Sequence, residues 1–178
     1  APDESDPILA ECMALIAGHK VHELRQALVQ AQLRLGLRSF VTDLVAPLTT
    51  LVGDGWAAGR LAVFEEHLYA EALQGVMHAA IATASQQIDR ELASPRILLT
   101  TVPMERHGLG LLMAEALFAL EGASCISLGV QTPLAEIVAA AKAHRADVVA
   151  LSFSSAISCR AAMDNISQLK ERLAGAAE

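Results

Sequence analysis

The hydrophobic pattern of the chain changes about halfway along its length. Between residues 8 and 92, apolar positions recur every three or four residues, which is the spacing of amphipathic helices that pack together. Breaks in this spacing fall at Gly18, at Gly36, around Pro47 and at residues 53–55. They predict helices at residues 8–17, 21–35, 38–52, 60–74 and 76–92. We therefore expect a bundle of four or five helices.

From residue 96 onward, short apolar runs alternate with helical stretches. The runs at residues 96–102, 125–129 and 147–154 have the length and composition of buried parallel strands. Helices are predicted between and after them, at residues 109–122, 133–144 and 160–173. Pro95 ends the preceding helical pattern, because the residue before a proline is disfavoured in the helical conformation.

The order of these elements predicts an α + α/β fold with two domains. A helical bundle at residues 1–92 precedes a Rossmann-like, flavodoxin-like domain with a parallel sheet at residues 95–178. A doubly wound sheet would continue with a further strand, so we expect the second domain to be incomplete at its C-terminus.

Composition and charge exclude several classes of function. Hydrophobic residues make up 53% of the chain but aromatic residues only 3%, so the single Trp56 and the single Tyr69 stand out. A net charge of −7 argues against this chain binding the phosphate backbone of a nucleic acid by itself. The odd number of cysteines, without metal-site spacing, indicates buried thiols in a reducing compartment. No apolar run reaches the roughly 18 residues that cross a bilayer, and we expect a cytoplasmic protein with no membrane contact.

The loop that follows the first predicted strand carries the clearest candidate site. Glu105, His107 and Gly110 form the pattern E-x-H-x-x-G, and 41 residues separate Gly110 from Ser152 at the end of the third apolar run. Ligands of open parallel sheets bind beyond the carboxyl ends of the strands, where these residues lie. Taken alone, His107 is explained as a loop histidine that caps the next helix.

This pattern resembles the signature of the cobalamin-binding domain family, D-x-H-x-x-G followed by a spacer of this length and S-x-L or S-x-V. The resemblance implies that His107 binds cobalt from below and that Glu105 hydrogen-bonds the other imidazole nitrogen. It also implies that Ser152 contacts the displaced dimethylbenzimidazole tail. Gly110 is then expected to allow close approach of the backbone to the corrin.

The chain departs from that signature in three places. Glu105 replaces the usual aspartate and is longer by one methylene, so its contact with the imidazole needs a different geometry. Ser154 stands where an apolar residue or threonine is usual. The Gly-Gly turn of the family would fall at or beyond Glu178.

A second pattern lies in the helical half. Trp56 is followed by nine residues and then by Glu66 and His67, and Val63 shares a helix face with the last two. A solvated acidic face, with the tryptophan plugging the bundle, explains this pattern when it is taken alone. An acid and an imidazole beside the only tryptophan also fit a ligand pocket.

This W-x9-E-H pattern resembles the CarH/LitR-type light-dependent transcriptional regulators, in which a MerR-like DNA-binding domain precedes a helical bundle and a cobalamin domain. The resemblance implies adenosylcobalamin as cofactor and a bundle that covers the upper corrin face. Trp56 would pack on the 5′-deoxyadenosyl group, Glu66 and His67 would hydrogen-bond it, and Val63 would line the pocket. It also implies a repressor that is an oligomer, a tetramer, in the dark and binds DNA through a MerR-type domain outside this chain. Light would cleave the Co–C bond and dissociate the oligomer.

Two positions differ from that family. Some members place a cobalt-binding histidine directly after the tryptophan, where this chain has Ala57, so a bis-histidine photoproduct by that route is not expected. An arginine corresponding to Arg106 pairs with an acid across the oligomer interface in the family, but the acid's position holds Gln131 here. The ion pair is therefore expected to be absent.

Two other functions share the bundle and the histidine motif. One is a corrinoid methyl carrier that serves methyltransferases, and the other is a stand-alone antirepressor that binds cobalamin or another tetrapyrrole. A methyl carrier has no evident need for the W-x9-E-H pattern. No nucleophile–base pair and no phosphate-binding loop is recognisable, so we do not expect an enzyme.

Overall fold

The computed structural model describes residues 7–86 and 95–175. The chain divides into two compact units, a helical unit at Ala1–Ala84 and an α/β unit at Ser85–Glu178. The predicted fold class is confirmed, because a helical part is followed by a parallel sheet with its helices. The predicted boundary near residues 92–95 and the last residues of the predicted helix 76–92 lie outside the described ranges.

Within residues 7–86, the helical unit contains four α-helices and one π-helical segment. Helix α1 spans Pro7–Ala17, α2 spans Val21–Ser39, the π-helical segment spans Phe40–Val45, α3 spans Ala46–Ala57 and α4 spans Val63–Ser85.

Two of the predicted breaks have physical counterparts in the helical unit. Gly36 interrupts α2 with φ 75° and ψ 159°, and helical hydrogen bonding resumes beyond it. Pro47 lies in the first turn of α3, directly after the π-helical segment, and has no N–H to donate within this continuous helical run. Both residues therefore change the helix locally without ending the run of helical residues.

The predicted break at residues 53–55 is wrong, because α3 continues through them to Ala57. The helix ends instead in a Schellman motif, in which Arg60 N–H donates to Gly55 O at 2.8 Å and Gly59 adopts φ 70°. The division between predicted helices 60–74 and 76–92 is also wrong. Gly75 lies inside the single helix α4. A Cβ built on it would lie 3.9 Å from Arg25 Nη2, an ordinary contact distance.

The core of the helical unit is largely aliphatic, and its buried aromatic side chains include Phe40 and one hydrogen-bonded tyrosine. Tyr69 on α4 is buried, and its hydroxyl lies 2.6 Å from Thr49 Oγ1 on α3. Burial raises the pKa of Tyr69, with the Thr49 hydrogen bond acting in the opposite direction. A buried phenol needs such a partner, so this bond specifies how α3 meets α4.

The continuous helical run Val21–Ala57 is long and apolar enough to cross a membrane by length and composition alone. Its side chains Leu28, Phe40 and Leu48 are fully buried within the helical unit. A core helix of a soluble protein passes the same test, so the run carries little weight as a membrane span.

The α/β unit is built on a three-stranded parallel sheet in the order β2-β1-β3. Strand β1 spans Arg96–Thr100, β2 spans Ser124–Ser127 and β3 spans Val148–Leu151. The helices are α5 at Leu109–Leu120, α6 at Leu134–Ala143 and α7 at Cys159–Ala174.

Successive side chains of β1 pack on opposite faces of the sheet, and helices cover both faces. Leu99 packs in one cluster with Leu111 of α5, whereas Leu98 packs in another with Ile137 of α6 and Leu169 of α7. All of these side chains are buried. The middle residues of the central strand, 97–99, are thus apolar. The loop that holds His107 follows the carboxyl end of this strand.

The three cysteines differ in exposure. Cys12 is buried, and burial followed by the nearby Glu115 charge raises the pKa of the half-buried Cys125 to about 11. The expectation of buried thiols is wrong for Cys159, which is exposed because it lies at the first position of α7.

Candidate functional site

The loop after β1 is fixed by backbone and hydroxyl contacts before any ligand is considered. Thr101 is fully buried, and its hydroxyl donates to Glu105 O at 2.6 Å while accepting from Gln131 N–H at 2.8 Å. Glu105 N–H donates to Val102 O at 2.9 Å, which closes a tight turn. Thr101 therefore joins this loop to the loop after β2 at the carboxyl end of the sheet.

The Glu105 carboxylate is the centre of the site. Its Oε1 accepts from His107 N–H at 2.9 Å and from His107 Nδ1 at 2.7 Å. Its Oε2 accepts from Ser154 N–H at 2.7 Å and from the Ser154 hydroxyl at 2.7 Å. The extra methylene relative to aspartate does not prevent the acid from holding the imidazole.

Glu105 is ionised although it is buried. Burial raises the pKa of its carboxyl, but four hydrogen bonds, led by the backbone N–H groups of Ser154 and His107, outweigh burial and lower the pKa to about 2. An ionised carboxylate only accepts hydrogen bonds, so we assign the proton of the imidazole to His107 Nδ1. His107 Nε2 then carries an available lone pair.

His107 presents that nitrogen outward. Its side chain is 48% exposed, and within residues 7–86 and 95–175 Nε2 has no hydrogen-bond partner. An imidazole held through Nδ1 by a carboxylate and open at Nε2 is the arrangement of a metal-binding histidine.

Ser154 is a site residue that the sequence pattern did not identify. Besides its two bonds to Glu105, its hydroxyl lies 3.1 Å from His107 Nδ1 and accepts from Ala156 N–H at 3.2 Å. Two departures from the family signature, the longer acid and this serine, are in direct contact. The joint occurrence of these two departures is the one signal in the sequence for this contact, and their spacing alone does not show it.

The structure brings Gly110 and Ser152 together at the same end of the sheet. A Cβ built on Gly110 would lie 2.9 Å from Ser152 Oγ, closer than real Cβ contacts allow. A Cβ on Gly108 would lie 3.1 Å from Val130 Cγ1. Both glycines therefore let the start of α5 approach its neighbours closely.

The rim of this site is apolar and exposed. Met104, in the His107 loop itself, is 78% exposed, and Val130, in the loop after β2, is 40% exposed. Gln131, in the loop after β2, donates from Nε2 to Pro103 O at 3.3 Å. Exposed apolar side chains around an outward-facing imidazole suit a large, flat ligand.

The residues of the W-x9-E-H pattern lie where α3 ends and α4 begins. Trp56, in the last turn of α3, is 49% exposed, and Val63, the first residue of α4, is 55% exposed. Glu66 Oε2 lies 2.5 Å from His67 Nδ1, and the His67 side chain is 71% exposed. The helical unit thus presents large apolar groups and a carboxylate–imidazole pair at one helix junction.

Comparison with known proteins assigns the family. Two family models, each described as a B12 binding domain, match residues 9–81 and residues 95–177. The chain belongs to the B12-binding domain family. It is also 28% identical over 131 residues to the HTH-type transcriptional repressor CarH of Myxococcus xanthus, a match that covers 74% of this chain. That match spans 42% of the CarH sequence, less than half of the repressor's length.

A solved structure confirms the architecture. The monomethylamine corrinoid protein of Methanosarcina barkeri superposes with a TM-score of 0.67 and 17% sequence identity, covering 92% of this chain and 77% of that chain. The B12-binding chain therefore has the fold of a corrinoid protein, and its sequence relationship to CarH makes it a CarH-like cobalamin-binding region.

The residues present fit a cobalamin. Within the described part of the chain, no three His, Cys, Asp or Glu side chains converge to cage a bare metal ion. His107 offers one well-oriented nitrogen, which would hold a cobalt that brings its other ligands with it. The role of each residue toward the cofactor remains a prediction.

Proposed function

We propose that this B12-binding chain is the adenosylcobalamin-binding, light-sensing and oligomerisation region of a cytoplasmic transcriptional repressor. The full protein would bind DNA through a MerR-type domain outside this chain, and its dark form would be a homotetramer. The observation that carries the proposal is the His107 imidazole, held through Nδ1 by Glu105 and Ser154 with Nε2 open. The relationship to the CarH repressor supports the regulatory part.

Each unit has its own task in this proposal. In the α/β unit, His107 ligates the cobalt and Ser152 contacts the nucleotide tail. In the helical unit, Trp56 packs on the adenosyl group with Val63, while Glu66 and His67 hydrogen-bond it. When bound, adenosylcobalamin supplies a cobalt–carbon bond that visible light breaks.

The residues of the helical unit would respond to loss of the adenosyl group in two ways. Trp56 and Val63 would lose an apolar partner, and Glu66 and His67 would lose polar ones. Each loss destabilises the state that the ligand favoured, by the cavity left behind and by unpaired polar groups. A two-state assembly that is biased by this ligand would therefore shift toward dissociation.

The light-sensing role is tested by size-exclusion chromatography with light scattering. We expect the chain loaded with adenosylcobalamin in the dark to elute as an oligomer, and to elute at a lower mass after green illumination. Trp56→Ala should lower the dark oligomer content, because it removes the aromatic contact to the adenosyl group.

The control for Trp56→Ala is Leu33→Ala, which truncates another exposed apolar side chain of the helical unit. That variant should retain the dark oligomer. A chain loaded with cyanocobalamin serves as the control for illumination. Equal masses of the adenosylcobalamin complex in the dark and after light would refute the light switch.

The cobalt-ligand role is tested by visible absorption spectroscopy. Loss of the imidazole should change the absorption spectrum of the bound cobalamin in His107→Ala. His144→Ala removes another exposed histidine of the α/β unit and should leave the spectrum unaltered. An unchanged spectrum in His107→Ala would remove the lower-ligand assignment.

The methyl-carrier alternative makes a different binding prediction. A methyl carrier should bind methylcobalamin at least as well as adenosylcobalamin, since it has no use for a nucleoside pocket. Preference for adenosylcobalamin would favour the regulator, and preference for methylcobalamin would favour the carrier.

A further inference from the structure

The first turn of α4 is held by a carboxylate that connects two parts of the helical unit. Glu65 Oε2 accepts from Ala62 N–H at 2.7 Å, which caps the start of the helix. Glu65 Oε1 lies 2.8 Å from His19 Nε2, in the turn between α1 and α2. The Ala62 hydrogen bond, and after it the His19 hydrogen bond, lowers the pKa of Glu65. An ionised Glu65 therefore ties the α1–α2 turn to α4.

His19 occupies a position that usually belongs to glycine. Helix α1 ends in a Schellman motif, in which Lys20 N–H donates to Leu15 O at 2.9 Å and His19 N–H donates to Ile16 O at 3.0 Å. The residue in this position has a left-handed backbone, and His19 has φ 57°. For a side chain with a Cβ this conformation is unfavourable by about 1 kcal/mol.

The contacts of the His19 ring give a reason for this conformation. Arg145 has a similar φ at the end of α6, so the backbone alone does not distinguish His19. The His19 ring, however, also meets the Phe64 ring edge-on, with centroids 5.1 Å apart and planes at 63°. Two successive residues of the first turn of α4, Phe64 and Glu65, are thus held by one imidazole.

The residues held by His19 are neighbours of the proposed adenosyl contacts. Glu66 and His67 follow Glu65 directly, and Val63 precedes Phe64. An α-helical turn is a rigid unit, so a contact that fixes Phe64 and Glu65 also fixes the directions of the side chains beside them. None of the W-x9-E-H residues themselves takes part in the contact between His19 and Glu65.

We propose that His19 is a positioning residue that fixes the first turn of α4 through Glu65 and thereby sets selectivity for a cobalamin with an adenosyl upper group. This inference rests on the proposed function, in which Val63, Glu66 and His67 contact that group. A cobalamin with a small upper group makes no such contacts. Its binding therefore does not depend on the orientation of this turn.

The test compares two substitutions of His19 by their dark dissociation constants for adenosylcobalamin and hydroxocobalamin. His19→Asn suits the left-handed backbone but is too short to reach Glu65, whereas His19→Gln places an amide N–H near the position of Nε2. We expect the preference of His19→Asn for adenosylcobalamin, as the ratio of the two dissociation constants, to fall about three- to tenfold. This is the effect of losing one hydrogen bond. Its affinity for hydroxocobalamin should be unchanged, and His19→Gln should recover most of the preference.

Two further variants complete the design. His22→Asn replaces an exposed histidine in the first turn of α2 and should keep the wild-type preference. Glu65→Gln retains an acceptor for Ala62 N–H but replaces the charged acceptor that faces His19 by a neutral amide, so it should lose part of the preference, less than His19→Asn.

Any one of four outcomes would overturn the inference. Unaltered preference in both His19→Asn and Glu65→Gln would show that the contact does not set selectivity. An equal loss of affinity for both cobalamins would indicate a purely structural role. A wild-type chain without preference for adenosylcobalamin would refute the proposed function and this inference with it. Light-dependent dissociation with unaltered preference in the variants would refute the inference alone.

Discussion

At the scale of single residues, the carboxylate of Glu105 joins two loops of the α/β unit. It receives N–H groups from its own loop and from the loop after β3, together with the Ser154 hydroxyl and the His107 ring. Both carboxylate oxygens of Glu105 therefore accept hydrogen bonds from groups of the protein itself. A buried carboxylate without those donors would be strongly destabilising, so the donors and the acid depend on one another.

The depressed pKa of Glu105 predicts acid sensitivity. Its pKa falls from an ordinary value of 4.5 to about 2, so its contribution to stability is complete above pH 4.5 and is lost as the pH falls through about 2. The shift corresponds to on the order of 3 kcal/mol. We expect the free energy of unfolding, measured by urea titration of the cofactor-free chain, to fall over this interval, and Glu105→Gln to lack that component.

The control for this measurement is Glu136→Gln, which removes an exposed carboxylate of α6. It should retain the wild-type dependence on pH. If Glu105→Gln showed the same acid dependence as the wild-type chain, the hydrogen-bonded, ionised Glu105 would be refuted.

Sequence reasoning identified some of these residues and missed others for a physical reason. Glu105, His107, Gly110 and Ser152 follow a fixed spacing, and that spacing reflects the path of the backbone from β1 to the end of β3. Ser154 was missed because its role depends on where the longer Glu105 side chain places its second oxygen, which spacing does not encode.

At the scale of secondary-structure elements, the run from α2 through the π-helical segment to α3 shows two kinds of glycine. Gly36 has a positive φ and marks a kink. Gly53 lies inside α3, and nothing lies within 4 Å of a Cβ built there. Helical periodicity together with glycine content does not distinguish these cases, which is why the break at residues 53–55 was predicted wrongly.

The two glycines predict opposite effects of the same substitution. Gly36→Ala should destabilise the chain by about 1–2 kcal/mol, since its backbone angle disfavours a Cβ. Gly53→Ala should stabilise it by up to about 1 kcal/mol, because alanine favours a helix interior. Thermal or urea unfolding of the two variants beside the wild-type chain measures both effects. Destabilisation by Gly53→Ala comparable with that of Gly36→Ala would contradict this assignment.

The strands were easier to predict than the helix ends. Apolar runs bounded by turn residues located the three described strands, because the middle residues of a parallel strand covered on both faces are apolar. The first predicted run was longer than its strand, since Thr101 and Val102 are buried in the loop after β1 without sheet pairing.

At the scale of the whole molecule, the two units match two separate B12-binding family models, and both lie within one acidic chain. Its 20 acidic residues against 13 basic ones repel a phosphate backbone at close range. In the proposed repressor, the attraction for DNA must therefore come from the MerR-type domain. At low ionic strength, the full protein would bind DNA more weakly than the MerR-type domain alone, because the acidic region repels the phosphates.

The exposure of Cys159 has a practical consequence for spectroscopy. Of the three thiols, Cys12 is buried and burial raises the pKa of Cys125, which leaves Cys159 as the position that an alkylating dye reaches most readily. The only tryptophan, Trp56, belongs to the helical unit, whereas Cys159 belongs to the α/β unit. The unmodified sequence therefore supplies a fluorescence donor in one unit and an attachment point for an acceptor in the other. Energy transfer between them would report the separation of the units with and without cofactor.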